Sequence, residues 1–221
     1  MTADPRELNF FDVRPKPRDY SRPVTPEERA VLGRFGEEYF VSPFAHGYKR
    51  YDYTGAYREA ARRIVEHYGL RAGSRVLEVG TARGFLLHDL KLAEPGLVVT
   101  GLDVSTWAIS NAMPSVRGRL VCGSGSEIPF PDGCFDLVLC VDVLINLEPD
   151  AARRAVAEMA RVSRGAGFIQ TPAYRTERDL ENLRNWVATA FTVRSVDEWK
   201  ALYRDVGYPG DYFWLVFADA P

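Results

Sequence analysis

The chain has 221 residues, of which 46% are hydrophobic and 12% aromatic, enough for one packed domain and too few for two large ones. Its 28 Lys and Arg residues are balanced by 30 Asp and Glu residues, and the net charge of −2 gives no general attraction for nucleic acid phosphates. The sequence has no apolar run of the roughly 18 residues that a membrane span needs, no apolar signal-peptide core and no metal-ligand spacing among its cysteines, so we expect a soluble, cytoplasmic protein without a metal site.

Prolines and arginines crowd residues 1–28, which indicates an arm without regular helix that is either loose or lies on the domain. We expect residues 29–221 to form a single domain. Within it we predict a helical lid over 29–70, a core over 75–171, and a final section over 172–221 that carries a substrate wall and the last strands.

The lid begins with a pattern typical of an amphipathic helix. Thr25 is a suitable amino-terminal cap, and apolar residues recur at helical spacing from Val31 to Phe40. A second helix is predicted over 57–68, where alanines and apolar side chains repeat every three or four residues.

Residues 42–53, between these helices, are rich in aromatic side chains and glycine, which suits a loop that closes over a bound molecule. Tyr48, Tyr51 and Tyr53 either pack the lid or face a substrate, because a tyrosine buries its ring and keeps a polar tip. His46 lies in the same loop and is a candidate acid or base, although a lone histidine is also found in structural roles.

The strand that begins at Arg75 carries Glu78 among apolar residues and runs into a glycine turn at Gly80. A dinucleotide site has a glycine at the second position of this turn and a small residue at the third, where the chain has Ala82 and bulky Phe85. Pyrophosphate is therefore a poor fit, and the sequence also lacks a G-x-x-x-x-G-K-[ST] phosphate loop. An acid below the turn favours a cationic or amine-bearing ligand instead.

Downstream, strands and helices alternate at a spacing that favours a parallel sheet covered by helices on both faces. No internal repeat interrupts this order. The predicted strands lie near 98–103, 118–122, 135–141, 166–171, 187–193 and 212–218, and the predicted helices near 84–92, 105–112, 150–162 and 196–206.

Three segments of this pattern together resemble the class I S-adenosylmethionine-dependent methyltransferases. They are the glycine motif at 78–84, the strand that ends at Asp103, and residues 121–140 with their Pro-Phe-Pro-Asp turn and Phe-Asp-Leu-Val strand, which is the most specific of the three. The resemblance implies an α/β, Rossmann-like fold with a seven-stranded, mostly parallel sheet, helices on both faces and an antiparallel C-terminal strand. It also implies S-adenosyl-L-methionine as methyl donor and S-adenosyl-L-homocysteine as product.

The same resemblance assigns the cofactor site to the core. Asp103 would accept both ribose hydroxyls, although it is also placed to cap the helix that follows. Ser124 stands where the family usually has an Asp on the adenine amino group, so adenine recognition would lean on the backbone near Gly125 and Ser126. The implied cofactor-binding residues are Glu78, Gly80, Thr81, Ala82, Gly84, Phe85, Asp103, Val104, Ser124, Gly125, Ser126 and Val141.

A methyl group on a sulfonium is already activated, so the protein mainly has to hold a nucleophile in line, and a base is needed only when the acceptor arrives protonated. Asp142 directly follows the fourth strand and is, with His46, a candidate catalytic residue; its structural alternative is to cap the short helix that follows. Asn146, Tyr174 and Arg175 are candidate substrate contacts together with the loop tyrosines, although the segment after the fifth strand is charged and can simply be solvated.

These inferences predict a methyltransferase acting on an oxygen or nitrogen of a small metabolite. A looser likeness of residues 35–40 and 198–212 to small bacterial methyltransferases of natural-product and surface-sugar pathways agrees with such an acceptor. A nucleic acid or protein methyltransferase is disfavoured by the near-neutral charge and by Val-Asp-Val-Leu at 141–144, where an Asn-Pro-Pro-Tyr type sequence would stand. A non-catalytic nucleoside-binding partner protein stays open because of Ala82 and Ser124, and so does the oligomeric state.

Overall fold

The computed structural model describes residues 5–12, 24–41 and 51–217. In this part of the chain, six strands form one parallel sheet in the order β3-β2-β1-β4-β5-β6. The chain adds β2 and β3 on one side of β1 and then crosses to β4 on the other side, so the strand order switches at β1 and β4. The strands are β1 (Arg75–Val79), β2 (Val98–Asp103), β3 (Leu120–Cys122), β4 (Leu137–Val141), β5 (Gly167–Ala173) and β6 (Asp211–Val216).

Helices connect the strands and cover both faces of the sheet. Most of them agree with the sequence-based expectation to within two or three residues at each end. None of the described helices has both the length and the apolar character that crossing a bilayer demands. They are α1 (Pro26–Leu32), α2 (Glu37–Val41), α3 (Arg58–His67), α4 (Phe85–Ala93), α5 (Thr106–Ser110), a 3₁₀ helix (Leu144–Asn146), α6 (Pro149–Val162), α7 (Glu177–Trp186) and α8 (Val196–Asp205).

The last strand corrects the predicted topology. β6 runs parallel to β5, with Phe168 opposite Asp211 and Ala173 opposite Val216, so the predicted antiparallel C-terminal strand is wrong. The predicted seventh strand is also not found in the described chain. The physical reason lies in the connection between β5 and β6. Helices α7 and α8 carry the chain back to the end of the sheet at which β5 begins, so β6 runs in the same direction as β5.

The predicted strand over 187–193 is a loop. The backbone N–H groups of Phe191 and Thr192 donate to the Ile145 carbonyl oxygen at 2.9 and 3.1 Å, so they satisfy the end of the 3₁₀ helix and form no sheet ladder. An apolar run of this length fits a buried loop as well as a strand, and the sequence pattern alone does not separate the two.

Two helical differences have local causes. The single helix expected up to Phe40 is split into α1 and α2, because the chain turns at Phe35 with a left-handed φ of 50°. Helix α7 was missed because its segment was interpreted as a substrate wall. It begins at a capping box, in which Thr176 and Asp179 each bond to the other's backbone N–H.

Two apolar layers enclose the sheet. On one face α6 and α8 contribute Ala155, Met159 and Trp199, all fully buried. On the other face α3 and α4 contribute Ile64 and Leu87, also fully buried. Burial of a large apolar side chain contributes about 1.5 to 3 kcal/mol, so these layers fix the strand ends firmly enough to carry strained loops at the carboxyl edge.

Part of the amino-terminal arm lies on the domain. Residues 5–12 follow the outer edge of β6, where Glu7 forms a parallel bridge with Tyr212. Of the two arrangements considered for the arm, this portion is therefore draped over the sheet and not loose.

Candidate functional site

A pocket opens at the carboxyl edge of the sheet, where β1, β2 and β4 end side by side. It encloses about 1020 Å³ of space between atoms, part of which is open to solvent at its mouth. A parallel sheet binds ligands at this edge, next to the change in strand order. The predicted site residues that line it are Tyr51, Glu78, Gly80, Thr81, Ala82, Asp103, Val104, Gly125, Val141, Asp142 and Asn146.

Glu78 is the buried acid on β1. Its Oε2 accepts a hydrogen bond from Thr81 Oγ1 at 2.7 Å, and only 5% of the residue is exposed. Burial raises the pKa of Glu78 to about 8; the charge of Asp103 adds to the rise and the Thr81 hydroxyl opposes it. No ion pair to Glu78 is present among the described residues, so a cationic ligand would stabilise its ionised form.

Asp103 clamps the glycine turn at the end of β2. Its Oδ2 accepts from the Ala82 backbone N–H at 2.7 Å, and its Oδ1 accepts from the Ser105 N–H at 2.8 Å. Burial raises the pKa of Asp103, and these backbone donors limit the rise. Helix α5 is capped by Ser105, whose hydroxyl accepts from the Ala108 N–H at 3.1 Å. Asp103 is therefore not the cap, and each oxygen keeps a lone pair for a ligand.

The glycine turn itself is tightly built. Gly80 has a φ of 74°, and a Cβ added there would lie 2.0 Å from Val143 Cγ2. Ala82 adopts a left-handed φ of 48°, a conformation that costs a residue with a Cβ about 1 to 2 kcal/mol. The hydrogen bond from Ala82 to Asp103 offsets part of this cost, so the alanine that departs from the family motif still accommodates the turn. Gly84, with a φ of 74°, starts α4 and lies outside the pocket lining.

The loop after β3 presents backbone to the pocket. Gly123 and Gly125 line it, and a Cβ on Gly125 would lie 2.8 Å from Val79 Cγ1. The Ser124 and Ser126 hydroxyls lie 2.9 Å apart and bond to each other, outside the lining. The sequence analysis missed Gly123, although its position directly after β3 gives the same signal as Gly125.

Asp142 follows β4 in a strained conformation, with a left-handed φ of 58°. Its Oδ2 accepts from Gln170 Nε2 at 3.1 Å, while its Oδ1 is shielded from solvent and has no partner within the described chain. Burial raises the pKa of Asp142 to about 7, and the Gln170 hydrogen bond opposes the rise. The residue as a whole is only half-buried, so Oδ1 is the inward-facing, shielded atom. Its side chain does not cap the 3₁₀ helix, which has no side-chain cap.

Asn146 supports the same end of the pocket. Its Nδ2 donates to the Asp142 carbonyl oxygen at 3.1 Å, and its Oδ1 accepts from Thr189 Oγ1 at 2.6 Å. Both ends of the amide are thereby held, so Asn146 fixes the strained backbone at Asp142. The loop over 187–193 supplies Thr189, which is itself buried.

Aromatic rings form the upper wall. Tyr51 lies in the lining and stacks on Phe85 with ring centroids 4.9 Å apart, so Phe85 supports the wall from behind. Five further rings line the wall. Phe35, Tyr39, Phe40 and Tyr57 were expected to pack the lid helices or to cover the ligand, whereas Phe11 was not predicted.

Three predicted substrate residues point elsewhere in the structure. The Tyr53 hydroxyl donates to the buried Asp89 at 2.5 Å, which turns its ring toward α4. The Tyr174 hydroxyl lies 3.5 Å from Glu198, and Arg175 pairs with Glu7 at 3.3 Å. None of these three lines the pocket. His46 and Tyr48 lie outside the described residues.

Comparison with known proteins identifies the core. Residues 77–170 match the methyltransferase domain family. The chain is 31% identical over 137 residues to a demethylmenaquinone methyltransferase of Beutenbergia cavernae, covering 58% of this chain and 55% of that protein. It is 29% identical over 180 residues to the 27-O-demethylrifamycin SV methyltransferase of Amycolatopsis mediterranei, covering 73% and 65%. The chain thus spans between about half and two thirds of the length of these relatives.

A solved structure shows the same fold. The YcgJ protein of Bacillus subtilis superposes with a TM-score of 0.52 at 20% identity, over 66% of each chain. At this identity the likeness concerns the fold alone.

The pocket fits the cofactor that the resemblance implied. A buried acid without an ion-pair partner in the described chain and a clamped acid with free lone pairs suit a nucleoside joined to a cationic arm. Residues 77–170, which hold most of these features, match the methyltransferase domain family, and the matching relatives named above are methyltransferases; both findings agree with a class I S-adenosylmethionine-dependent methyltransferase.

Proposed function

We propose that the protein transfers the methyl group of S-adenosylmethionine to an oxygen or nitrogen atom of a small molecule. The observation that carries the proposal is the pair of acids at opposite ends of one pocket. We name the part around Asp103, Ala82 and Gly123 the nucleoside end, and the part around Val141, Asp142 and Asn146 the transfer end.

At the nucleoside end, Asp103 is oriented by two backbone donors and keeps one lone pair on each oxygen for the ribose hydroxyls. Gly123 and Gly125 let the base approach the backbone. Phe40 stacks on Trp107 with centroids 5.1 Å apart, which gives this end a rigid apolar roof. These contacts hold the nucleoside and leave the chemistry to the other end.

At the transfer end, S-adenosylmethionine, when bound, supplies a methyl group that is already activated by the sulfonium charge. Glu78 and the aromatic faces favour a cation there, and they exclude water from it. Asp142 lines this end, and its shielded Oδ1 has no partner in the described chain, so we propose that it accepts the proton of an acceptor hydroxyl or amine. A pKa near neutrality suits a general base, and Gln170 holds the second oxygen so that Oδ1 stays aimed.

The acceptor that we propose is a small organic molecule of a biosynthetic, natural-product type of pathway. Support comes from the relatives, whose names specify demethylmenaquinone and 27-O-demethylrifamycin SV as substrates. Aromatic and acidic lining residues suit an uncharged or cationic acceptor. A net charge of −2 argues against a nucleic acid acceptor, and the free thiols of Cys122 and Cys134 agree with a reducing cytoplasm.

We also propose the division of labour along the chain. Residues 75–171 bind the cofactor, 29–70 form the lid that carries Phe40 and Tyr51, and 172–221 support the transfer end through Thr189.

Two measurements test the proposal in sequence. Isothermal calorimetry with S-adenosylmethionine and S-adenosylhomocysteine is expected to show binding of both, and absence of binding would contradict the assignment of the pocket. Incubation with S-adenosylmethionine and a panel of phenols, hydroxyquinones, sugars and amines, read out as S-adenosylhomocysteine formed, is then expected to show turnover. Binding without turnover on any acceptor would favour a non-catalytic partner protein instead.

A further inference from the structure

We call the amino-terminal segment 5–12 the strap; its residue Phe11 lines the pocket. The strap pairs with the outer edge of β6: the Leu8 N–H donates to the Tyr212 carbonyl oxygen at 2.8 Å, and the Tyr212 N–H donates to the Arg6 carbonyl oxygen at 2.9 Å. These bonds satisfy backbone groups that an edge strand would otherwise expose.

One carboxylate locks the strap to the domain. Asp211 Oδ1 accepts from the Arg6 backbone N–H at 2.9 Å and from Arg6 Nε at 3.3 Å. Its Oδ2 accepts from the Tyr68 hydroxyl at 3.0 Å and lies 3.3 Å from His67 Nε2. Asp211 is only 6% exposed, and it joins the strap, β6 and α3 at a single point.

The two phenylalanines of the strap have different roles. Phe10 is buried and meets Phe168 edge-on at 4.9 Å, so it anchors the strap in the core. Phe11 lines the pocket and meets Tyr57 edge-on at 5.7 Å. The backbone turns immediately afterwards at Asp12, whose φ is 47°. The anchor and the turn together set the ring of Phe11 into the pocket wall.

Phe11 lies on the β5 side of the pocket. Its ring centroid is 6.2 Å from that of Phe168 on β5, whereas Asp103 ends β2 on the other side of β1. Three strand spacings separate β2 from β5, roughly 14 Å at about 4.8 Å each. A nucleoside held by Asp103 therefore lies away from Phe11, while the substituents of its sulfur extend toward it.

We infer that Phe11 walls the pocket around the sulfur and amino acid arm of the bound cofactor, and that Asp211 is the positioning residue that keeps it there. This inference rests on the proposed function. The ring shields the sulfur from water and leaves the acceptor to approach through the rest of the opening. A segment that carries no cofactor motif thus completes the site.

Adenosine and S-adenosylhomocysteine separate the two ends of the pocket in a binding experiment, because adenosine lacks the sulfur and the amino acid arm. We expect Phe11→Ala to weaken S-adenosylhomocysteine about tenfold in calorimetry and to leave the adenosine dissociation constant within about twofold. Phe11→Leu, which keeps apolar bulk, is expected to recover most of the lost affinity. Phe191→Ala removes an exposed ring outside the lining and serves as the control with no effect on either ligand.

Asp211→Ala is expected to produce the same selective loss for S-adenosylhomocysteine, and Asp211→Asn, which keeps an acceptor oxygen for Arg6, a smaller one. Equal weakening of both ligands by Phe11→Ala, or no weakening, would overturn the inference even if Asp211→Ala fails to fold. If the wild-type protein binds S-adenosylhomocysteine and Phe11→Ala binds it equally well, only the role of the strap is lost. If the wild-type protein binds neither ligand, the proposed function fails as well.

Discussion

The nucleoside end and the transfer end of the pocket are built from the same elements, a strand end and an acid, yet they differ in how completely their polar groups are paired. Asp103 accepts a backbone N–H on each oxygen. Asp142 has one partnered oxygen and one buried oxygen without a partner in the described chain, and it sits on a left-handed backbone.

This difference indicates that the nucleoside end is preorganised, whereas the transfer end keeps a polar group unsatisfied until a ligand binds. A satisfied carboxylate positions what it binds and changes little on binding. A buried, half-satisfied carboxylate on a strained backbone carries a free-energy cost that an incoming donor relieves. Under the proposed function, the chain would therefore hold its cofactor at one end and keep a reactive group at the other.

The largest expected effect comes from removing the reactive group. Asp142→Asn keeps an acceptor for Gln170 and removes the base, so we expect turnover to fall about 10²- to 10⁴-fold while cofactor affinity stays within a few-fold. The wild-type rate should rise with pH through about 7 as the Asp142 carboxylate ionises, and this rise should vanish in the variant.

From the sequence alone we expect His46→Ala also to lower turnover more than it lowers affinity for the cofactor. Full activity in both variants would mean that positioning alone carries the reaction.

The substitution Gly80→Ala tests whether the glycine turn after β1 tolerates a side chain. Gly80→Ala combines a left-handed backbone cost of about 1 to 2 kcal/mol with overpacking against Val143 of about 1 to 3 kcal/mol. Urea unfolding should show the summed loss, and calorimetry a weaker cofactor. Gly118→Ala is the matched control, because its φ is +80° and an added Cβ meets nothing within 4 Å. Equal losses in the two variants would remove the steric argument.

The nucleoside end should respond to loss of its clamp in binding, and not in the rate at saturating cofactor. We expect Asp103→Ala to weaken S-adenosylhomocysteine by about 1 to 3 kcal/mol, because hydrogen bonds to a charged acceptor are lost. Asp205→Ala, at an exposed acid on α8, provides the control for a change of charge. An unchanged dissociation constant for Asp103→Ala would remove the ribose assignment.

A separate effect is expected on the pH dependence of stability without ligand. The pKa of Glu78 is raised from 4.5 to about 8, so the folded protein holds a proton that the unfolded chain has released. Stability therefore falls as pH rises from about 5 to 8, by at most about 1.4 kcal/mol per pH unit for this group. Glu78→Gln should flatten this slope in urea unfolding, whereas Glu127→Gln, at an exposed site, should retain it. A slope unchanged by Glu78→Gln would show that Glu78 is ionised in the folded state.

The sequence predicts most residues that line the nucleoside end of the pocket, because their signals are local. An apolar strand, an acid and a glycine turn lie within ten residues, and the neighbouring strand ends in Asp103 after a short helix. The family resemblance added the order of these segments. Ser124 and Ser126, by contrast, bond to each other and lie outside the pocket lining, which their sequence positions do not reveal.

The features that the sequence did not predict depend on distant contacts. The direction of β6 follows from how α7 and α8 pack, which no strand pattern encodes. Tyr53 is turned away from the pocket by Asp89, a buried acid on a helix 36 residues downstream. Phe11 gives no periodic signal, because it sits in a proline-rich arm whose partner is the last strand of the sheet.

The lock between Arg6 and Asp211 spans 205 residues of chain, and this separation bears on the order of folding. Contacts between distant residues form late, because the entropy of closing a long loop must be overcome before they contribute. The strap therefore has nowhere to dock until β6 has joined the sheet. We therefore expect the ability to bind S-adenosylmethionine to appear in the last stage of folding, after the two apolar layers have packed.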